Sequence, residues 1–268
     1  MSTWELLEKV RKEKPLVHHI TNWVTIYDCA NIVKSFGASP VMAHAKEEAA
    51  DMASLASALV LNIGTLTSEL IESMKLAAAS ANKKGIPVVL DVCGAGATRF
   101  RDEKVAELLT EVKINIIKGN ASEIARVAGM EVKTKGVDSG KVDGDLSKMA
   151  KQLAVKKECT VVITGKEDII SDGSAVYKVS NGTDMMGKIV GTGCMAASVI
   201  GTFAGVEKDL ARAAAGALVC FGIAAEIASE ISTGTGSFKE DMFDCVYNLN
   251  REQIESMERI SSLRGKLA

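Results

Sequence analysis

Residues 58–92, ALVLNIGTLTSELIESMKLAAASANKKGIPVVLDV, contain two apolar runs on either side of a helical pattern. The runs at 58–64 and 86–92 are apolar at almost every position, which predicts strands buried on both faces. Between them the spacing predicts a helix over 68–84, and Gly85 follows it as a typical helix stop signal. This order of elements favours parallel strands joined by a helix.

The same alternation continues on both sides of this segment. Further strands are predicted at 16–22, 39–43, 114–120 and 160–165, and helices at 3–14, 23–36, 46–57 and 121–129. Later predictions are a hairpin at 167–180, a long helix at 210–230 and a last helix from about Glu240. The pattern predicts one α/β domain over residues 1–268, with a mostly parallel central sheet between two helical layers.

The composition is that of an ordinary soluble globular protein, with 47% hydrophobic and 25% charged residues among 268. The net charge is −2 and no long run of like charges occurs, so we expect no nucleic-acid partner. The six cysteines show neither a CxxC pair nor metal-ligand spacing. This predicts reduced thiols and a cytoplasmic protein.

One uncharged stretch, residues 189–206, reaches the lower limit of the roughly 17–25 residues that a membrane helix needs. It contains four glycines, its first residues favour a turn, and charged residues follow it at 207–209. We therefore expect a glycine turn that leads into a helix buried in the protein core, with no membrane span.

Polar and glycine-rich residues follow most of the predicted strands. The carboxyl ends of parallel strands meet at one edge of a sheet, where open α/β folds bind their ligands, so we expect these residues to share one site. They include Asn22, Met42, His44, Asn62, Asp91, Lys118, Glu123, Thr164 and the GTGC turn at 191–194.

Two glycine-rich turns, GAGAT at 94–98 and GTG at 191–193, expose backbone N–H groups without side chains in the way. The second turn precedes a predicted helix, and a helix N-terminus favours anions. Gly191, Thr192 and Gly193 are therefore predicted to form an anion hole. Neither turn is specific by itself, and the chain has no Walker P-loop or GxGxxG fingerprint after its first strand.

Charged residues at the same edge suit a nucleotide and a metal ion. Asp91 and Glu123 offer the hard oxygen ligands that Mg²⁺ prefers, and Lys118 can neutralise a phosphate. Each also has a structural interpretation: Asp91 can cap the next element, Glu123 can pair with Asn120 at a helix N-terminus, and a lysine can simply be solvated. Because all of these groups fall on one edge, we predict an enzyme that transfers a phosphoryl group at the GTGC turn.

Longer motifs resemble those of the hydroxyethylthiazole kinase family, in the same order and over about residues 15–243. The resemblance implies a ribokinase-like fold and a homotrimer with active sites at subunit interfaces. It also implies phosphorylation of 4-methyl-5-(2-hydroxyethyl)thiazole with ATP and Mg²⁺ in thiamine salvage. The motifs that carry it are VHHITN, ASPVM, DVCGAGATRFR, IIKGNASEI, VVITGKEDIISDG, VGTGCMAAS and GTGSFKEDMFD.

The resemblance implies roles for individual residues. Cys194 occupies the position at which related sugar kinases carry a catalytic aspartate, so it either accepts the substrate's proton or only shapes the pocket. The implied binding residues are Met42, Asn22 and Gly191 for the substrate, Lys118 and Thr164 for ATP, and Asp91 and Glu123 for the phosphates and the metal ion.

Two departures from the family pattern affect this prediction. Lys118 stands where the family usually has arginine, so a bidentate phosphate contact becomes a point charge. DVCG at 91–94 stands where the family commonly has DPVG, which alters the loop after Asp91. Two alternatives remain: a ribokinase-like kinase for a sugar or hydroxymethylpyrimidine, and a catalytically silent nucleotide-binding regulator of the same fold.

Overall fold

The computed structural model describes residues 1–130 and 144–264, in which nine strands form one sheet with helices on both faces. The strands are β1 Leu16–Ile20, β2 Ser39–Val41, β3 Ala58–Asn62, β4 Val88–Asp91, β5 Ile116–Asn120, β6 Thr160–Thr164, β7 Asp168–Ser171, β8 Ala175–Val179 and β9 Ile260–Arg264. The helices are α1 Thr3–Glu13, α2 Ile26–Ser35, α3 Ala49–Leu55, α4 Ser68–Lys84, α5 Arg99–Glu111, α6 Ala121–Val127, α7 Leu146–Lys157, α8 Thr192–Ala204, α9 Leu210–Ile231, α10 Thr235–Asn248 and α11 Arg251–Met257, and a 3₁₀ helix spans Asp184–Lys188.

The strands lie in the order β2-β1-β3-β4-β5-β6-β7-β8-β9. Neighbouring strands from β2 to β6 are parallel, and β7, β8 and β9 complete the sheet with antiparallel pairings. The predicted hairpin at 167–180 is the β7–β8 pair. The predicted α/β class with a mostly parallel sheet is confirmed, and the parallel strands bring their carboxyl ends to one edge.

Buried side chains form two cores, one on each face of the sheet. Along β3, Ala58 and Val60 belong to one core, whereas Leu59 and Leu61 belong to the other. Helices α1, α2, α8, α9 and α10 pack on the first face, and α3 to α7 pack on the second. A strand covered on both faces needs an apolar residue at every position, which explains the unbroken apolar runs.

Helix α9 is long and apolar enough to cross a membrane, but 78% of its most apolar window is buried within the fold. Its small residues allow other elements to approach closely. A Cβ at Gly216 would lie 2.8 Å from Leu6 Cδ1, and a Cβ at Gly222 would lie 2.7 Å from the carbonyl oxygen of Asn181. The predicted close packing of this segment is therefore confirmed, and α9 is a core helix.

The uncharged stretch at 189–206 contains a turn followed by α8. Every residue from Met195 to Ala204 is buried, and α8 packs against α9, α2 and the central strands. This confirms the prediction of a glycine turn joined to a buried helix.

The start of the helix predicted over 23–36 is wrong, because α2 begins only at Ile26. The Asn22 side-chain oxygen accepts hydrogen bonds from the backbone N–H groups of Val24 and Thr25, at 3.1 and 3.0 Å. Asparagine commonly forms such a turn with the backbone that follows it. Here the turn replaces the first turn of the helix and fixes the Asn22 side chain.

The single helix predicted from about Glu240 is also wrong. Helix α10 begins earlier, at Thr235, and Asn250 then starts α11 by accepting a hydrogen bond from the backbone N–H of Gln253 at 3.0 Å. Strand β9 follows and pairs antiparallel with β8. Its pairing with a strand about 80 residues earlier is a long-range contact, so the local pattern of ISSLR does not indicate it.

Candidate active site

The register of the central strands brings three polar side chains together at the carboxyl edge. Asn62 of β3 lies opposite Asp91 of β4, and Asp91 lies opposite Lys118 of β5. All three are buried, and 3.3 Å separates Lys118 Nζ from Asp91 Oδ2. Lys118 is therefore not the solvated surface charge that the structural interpretation proposed.

Burial and charge act on this ion pair in opposite directions. Burial raises the pKa of Asp91, and the nearby Lys118 ammonium opposes that rise. Burial also lowers the pKa of Lys118, but attraction from Asp91 and Glu123 outweighs it, so the Lys118 pKa lies above its usual value. Lys118 thus presents a stable positive charge beside the GTG turn.

Glu123 joins two loops of the site. Its Oε2 accepts a hydrogen bond from the backbone N–H of Asn120, and its Oε1 accepts one from Gly94, both at 2.7 Å. The predicted N-cap pair is present, since Asn120 accepts from the Glu123 N–H at 3.0 Å. Burial raises the pKa of Glu123. The carboxylate therefore both caps α6 and holds the GAGAT loop.

The GTG turn forms the N-terminus of α8. Gly191 has φ of +99°, and a Cβ there would lie 2.8 Å from Thr25 Cγ2, so the turn requires glycine. No side chain among the described residues caps this helix end. A Cβ on Gly193 would lie 3.3 Å from Lys118 Nζ. The first N–H groups of α8 and the Lys118 ammonium thus form a pocket of donors suited to an anion, which we call the anion pocket.

The Cys194 sulfur lies at the centre of a cluster of donors. The Nδ2 atoms of Asn22 and Asn62 each donate a hydrogen bond to Cys194 Sγ at 3.3 Å. A hydrogen bond from the Cys93 thiol lowers the pKa of Cys194 to about 7, although burial opposes this change. Cys93, one of the two residues of DVCG that depart from the family's DPVG pattern, therefore acts directly on Cys194.

Two of the predicted binding residues lie outside this cluster. Met42 follows the edge strand β2 at the same edge of the sheet and is half-buried. Two residues further on, His44 meets Trp23 edge to face, with ring centroids 4.5 Å apart. Thr164, at the end of β6, donates a hydrogen bond to the Gly119 carbonyl at 3.4 Å. The structure therefore brings Asn22 to Cys194, whereas Met42 and Thr164 lie on opposite sides of the cluster, at the ends of β2 and β6.

Thr164 lines a separate cavity of about 450 Å³, which we call the β6–α9 cavity. Its walls come from the β6–β7 loop, the segment after β8, the start of α8, and α9; they include Thr164, Asp168, Thr183, Thr192, Gly193 and Gly222. Burial raises the pKa of Asp168 to about 7. The cavity reaches the anion pocket because both include Thr192 and Gly193.

Sequence reasoning missed Arg101, a residue of α5 that supports the site. Arg101 donates hydrogen bonds to the carbonyls of Ile63, Gly64 and Cys93, at 2.7 to 2.9 Å, and so ties together the loops after β3 and β4. Its position in GATRFR gave no sign of this role. Asn62, by contrast, was among the residues predicted at this edge, because it ends an apolar strand at the position that Asp91 occupies in the next strand.

Asp91 and Glu123 are the two carboxylates placed to meet a metal ion. Within residues 1–130 and 144–264, no three His, Cys, Asp or Glu side chains converge as a protein-only metal site. Mg²⁺ commonly keeps several waters and binds one or two carboxylates together with substrate phosphates. The two carboxylates beside the anion pocket fit a metal ion of that kind.

Comparison with known proteins agrees with this geometry. The model of the hydroxyethylthiazole kinase family matches residues 7–252. A hydroxyethylthiazole kinase of Methanosarcina mazei is 59% identical over 257 residues, which cover 96% of this chain and 98% of the relative.

Solved structures give the same result. The hydroxyethylthiazole kinase of Pyrococcus horikoshii OT3 has a TM-score of 0.89 at 39% identity, covering 97% of this chain and 98% of its own. A ribokinase-like superfamily protein of Enterococcus faecalis V583, at 13% identity, shares the fold with a TM-score of 0.62 and covers 92% of this chain and 94% of its own. The predicted ribokinase-like fold is confirmed, and the chain belongs to the hydroxyethylthiazole kinase family.

Proposed function

We propose that this protein, acting as a single kinase domain over residues 1–268, transfers the γ-phosphoryl group of ATP to the hydroxyl of 4-methyl-5-(2-hydroxyethyl)thiazole. The observation that carries the proposal is the position of Cys194. Its sulfur lies at the first turn of α8, beside the anion pocket that Lys118 and the GTG turn form. A proton acceptor next to a phosphate site is the arrangement that transfer to an alcohol needs.

ATP would enter through the β6–α9 cavity, with Thr164 near its mouth and Lys118 at the phosphates. The transferring phosphoryl group would lie at the backbone N–H groups of Gly191, Thr192 and Gly193. Most catalysis of phosphoryl transfer comes from positioning and electrostatic stabilisation, which this pocket supplies. Lys118 acts there as a point charge, without the bidentate contact of an arginine.

The thiazole alcohol would lie between Met42, Asn22 and Gly191, with its hydroxyl directed at Cys194. The pKa of Cys194 is lowered to about 7, so its thiolate can accept the hydroxyl proton near neutral pH. The thiol therefore serves as a moderate base, and the donors around its sulfur support that role over mere pocket shaping.

Asp91 and Glu123 would hold Mg²⁺ through direct or water-mediated contacts. When bound with ATP, the ion neutralises charge on the phosphates. The carboxylates are already fixed by protein contacts: Asp91 by Asn62 and Lys118, and Glu123 by backbone N–H groups. Chelation with EDTA is expected to abolish ADP release, and added Mg²⁺ to restore it.

We further propose a cytoplasmic homotrimer with interfacial active sites, acting in thiamine salvage. Support comes from large apolar side chains exposed beside the site: Trp23, Val24, Tyr27 and Val190 are 51 to 74% exposed. Val190 adjoins Gly191, which lies against Thr25 of the loop that also carries Trp23 and Val24. Sedimentation should show a trimer at assay concentrations, and an active monomer would contradict the interfacial site.

A coupled assay of ADP release tests the proposed reaction. The panel should contain the thiazole alcohol, hydroxymethylpyrimidine and several sugars, each with ATP and Mg²⁺. We expect turnover of the thiazole alcohol at a rate well above the others. Turnover of the pyrimidine alone would make the protein a different kinase, and ATP binding without turnover of any alcohol would favour a silent regulator.

A further inference from the structure

We propose that Asn62 is a positioning residue that holds the Cys194 sulfur and the Asp91 carboxylate in a fixed mutual arrangement. The inference rests on the proposed kinase function. It adds a residue without which the proposed proton acceptor, Cys194, is no longer held in place beside Asp91. Asn62 would touch neither the nucleotide nor the alcohol. It would act through the two side chains that its amide joins.

The amide of Asn62 has four hydrogen-bonding positions, and all four are used. Its Nδ2 donates to Asp91 Oδ2 at 2.8 Å and to Cys194 Sγ at 3.3 Å. Its Oδ1 accepts from Asn22 Nδ2 at 3.0 Å and from the backbone N–H of Gly64 at 2.8 Å. A side-chain amide offers two donors and two lone pairs, so Asn62 is fully satisfied.

These partners also determine which way the amide points. Rotating it by 180° would place the carbonyl oxygen of Asn62 against the Asp91 carboxylate, and would turn its NH₂ towards the donors of Asn22 and Gly64. Both changes set like partners against each other in a buried place, where unmatched polar groups are costly. The two donors of Asn62 are therefore directed at Asp91 and Cys194.

The second amide of the cluster depends on the first. Asn22 Oδ1 accepts hydrogen bonds from Val24, Thr25 and the Thr25 hydroxyl, so its Nδ2 must face Asn62 and Cys194. Without the Asn62 carbonyl, Asn22 Nδ2 loses one of its two partners. Loss of Asn62 thus weakens both amide contacts to the sulfur.

Close packing around the Asn62 side chain restricts the movement of its amide. Asn62 is 1% exposed, and its backbone is held in β3 between β1 and β4. A Cβ on Gly64 would lie 3.0 Å from both Asn62 Oδ1 and Asn22 Cβ, so the chain after β3 closes over the two amides. The cluster is preorganised, and preorganised donors aid catalysis because they need not reorient during the reaction.

The test compares two variants of Asn62 with wild type. Asn62→Asp keeps the shape of the side chain but replaces both donors, and Asn62→Ser is too short to join the two partners. We expect kcat for the thiazole alcohol to fall by about 10- to 100-fold in both, with each KM changing by less than about threefold, because misplacement of reacting groups acts on the chemical step. Alkylation of Cys194 by iodoacetamide at pH 7, followed on its peptide by mass spectrometry, should slow severalfold.

Asn82→Ser is the matched control. Asn82 also uses its amide in two hydrogen bonds, to the backbone carbonyl and N–H of Lys113 at 2.9 Å each, but it lies at the opposite end of the fold. We expect wild-type kcat and wild-type alkylation of Cys194. Circular dichroism and the unfolding midpoint verify the fold of each variant; if Asn62→Ser does not fold, the isosteric Asn62→Asp decides.

Combination with Cys194→Ala distinguishes positioning from general stabilisation. In that background we expect Asn62→Ser to cost much less in kcat than it costs alone, since residues that act through one another are not additive. Equal costs in both backgrounds, or wild-type kcat in the folded Asn62 variants, would overturn the proposal. If wild type turns over no alcohol, that result counts against the kinase function alone. The alkylation rates of Cys194 still test the role of Asn62 in that case.

Discussion

The two ends of the site differ in how firmly their side chains are held. At the acceptor end, formed by Asn22, Asn62, Asp91, Lys118 and Cys194, polar atoms hydrogen-bond or pair with one another. The β6–α9 cavity is lined instead by loops, glycines and short polar side chains, with about 450 Å³ of open space.

The difference matches the demands of the reaction. A proton acceptor and a phosphoryl group must meet within a fraction of an ångström, so the acceptor end gains from rigid donors. A nucleotide has to enter and leave, which an open cavity permits. We therefore expect substitutions at the acceptor end to act on kcat, and substitutions in the cavity to act on nucleotide affinity or on stability.

The largest effect is expected at Cys194. Cys194→Ala removes the proposed proton acceptor, and general base catalysis contributes about 100- to 10,000-fold, so kcat should fall by an amount in that range. Cys194→Asp supplies a carboxylate in the same place and should retain far more activity than the alanine variant. Steady-state kinetics measure both. If both variants match wild type in kcat, the base role is wrong.

A somewhat smaller loss is expected from Gly191→Ala. The positive φ of +99° and the contact with Thr25 would force the turn to move, and loss of an oxyanion-type donor costs about 100- to 1,000-fold in kcat. Gly85→Ala is the control, since Gly85 also has positive φ, of +79°, but no atom of the described residues lies within 4 Å of its Cβ position. It should lower the unfolding midpoint and leave kcat unchanged; an equal loss of kcat in both variants would contradict the anion hole.

An intermediate effect is expected from Cys93→Val, which removes the thiol donor to Cys194. The Cys194 pKa should rise from about 7 towards its ordinary value, so that kcat at pH 7 falls by about 10- to 50-fold as the thiolate fraction drops. The loss should shrink to about twofold or less by pH 9, and wild-type kcat itself should rise with pH through about 7. Identical pH profiles for both proteins would show that Cys93 does not tune the base.

The smallest effect is expected on stability, in the β6–α9 cavity. Burial raises the pKa of Asp168 to about 7, so between about pH 4 and 7 the folded state binds a proton that the unfolded state has released. Wild type should therefore lose stability as pH rises through this window, while Asp168→Asn should not. The difference in unfolding midpoint, variant minus wild type, should grow from pH 5 to pH 8.

Asp172→Asn provides the contrast for that measurement. Burial acts to raise the pKa of Asp172, but hydrogen bonds from Ala175 and Ser174 hold that pKa below its usual value. Asp172 is thus ionised in both the folded and the unfolded state at pH 5 and above, and its variant should show a flat difference from pH 5 to 8. A flat line for Asp168→Asn as well would contradict the raised pKa.

Much of the fold could be predicted because its signals are local. The unbroken apolar runs of β3 and β4, and Gly85 at the end of the helix between them, are visible within 35 residues. The elements that sequence reasoning placed wrongly depend on a side chain that hydrogen-bonds to the backbone, or on a strand far away in the sequence. The Asn22 turn shortens α2, and β9 exists only because β8 offers it an edge.

The candidate site divides in the same way. The rule that parallel strands place their carboxyl ends at one edge was enough to select Asp91, Lys118 and the GTG turn from the sequence. It could not select Arg101, which lies on a helix and acts on the carbonyls of two separate loops. It placed Met42 at the same edge but could not give its distance from Cys194, since β2 is an edge strand and that distance depends on how the sheet ends.

The sequence alone determined the α/β class, the family and the edge at which the chemistry lies, because hydrophobic periodicity and glycine turns act over short stretches of chain. Only the tertiary structure decided the environment of Cys194. Its donors come from the ends of β1, β3 and β4, at Asn22, Asn62 and Cys93, and only strand register brings them to one sulfur. A thiol pKa depends on charges and donors within a few ångströms, and the order of residues along the chain does not specify those distances.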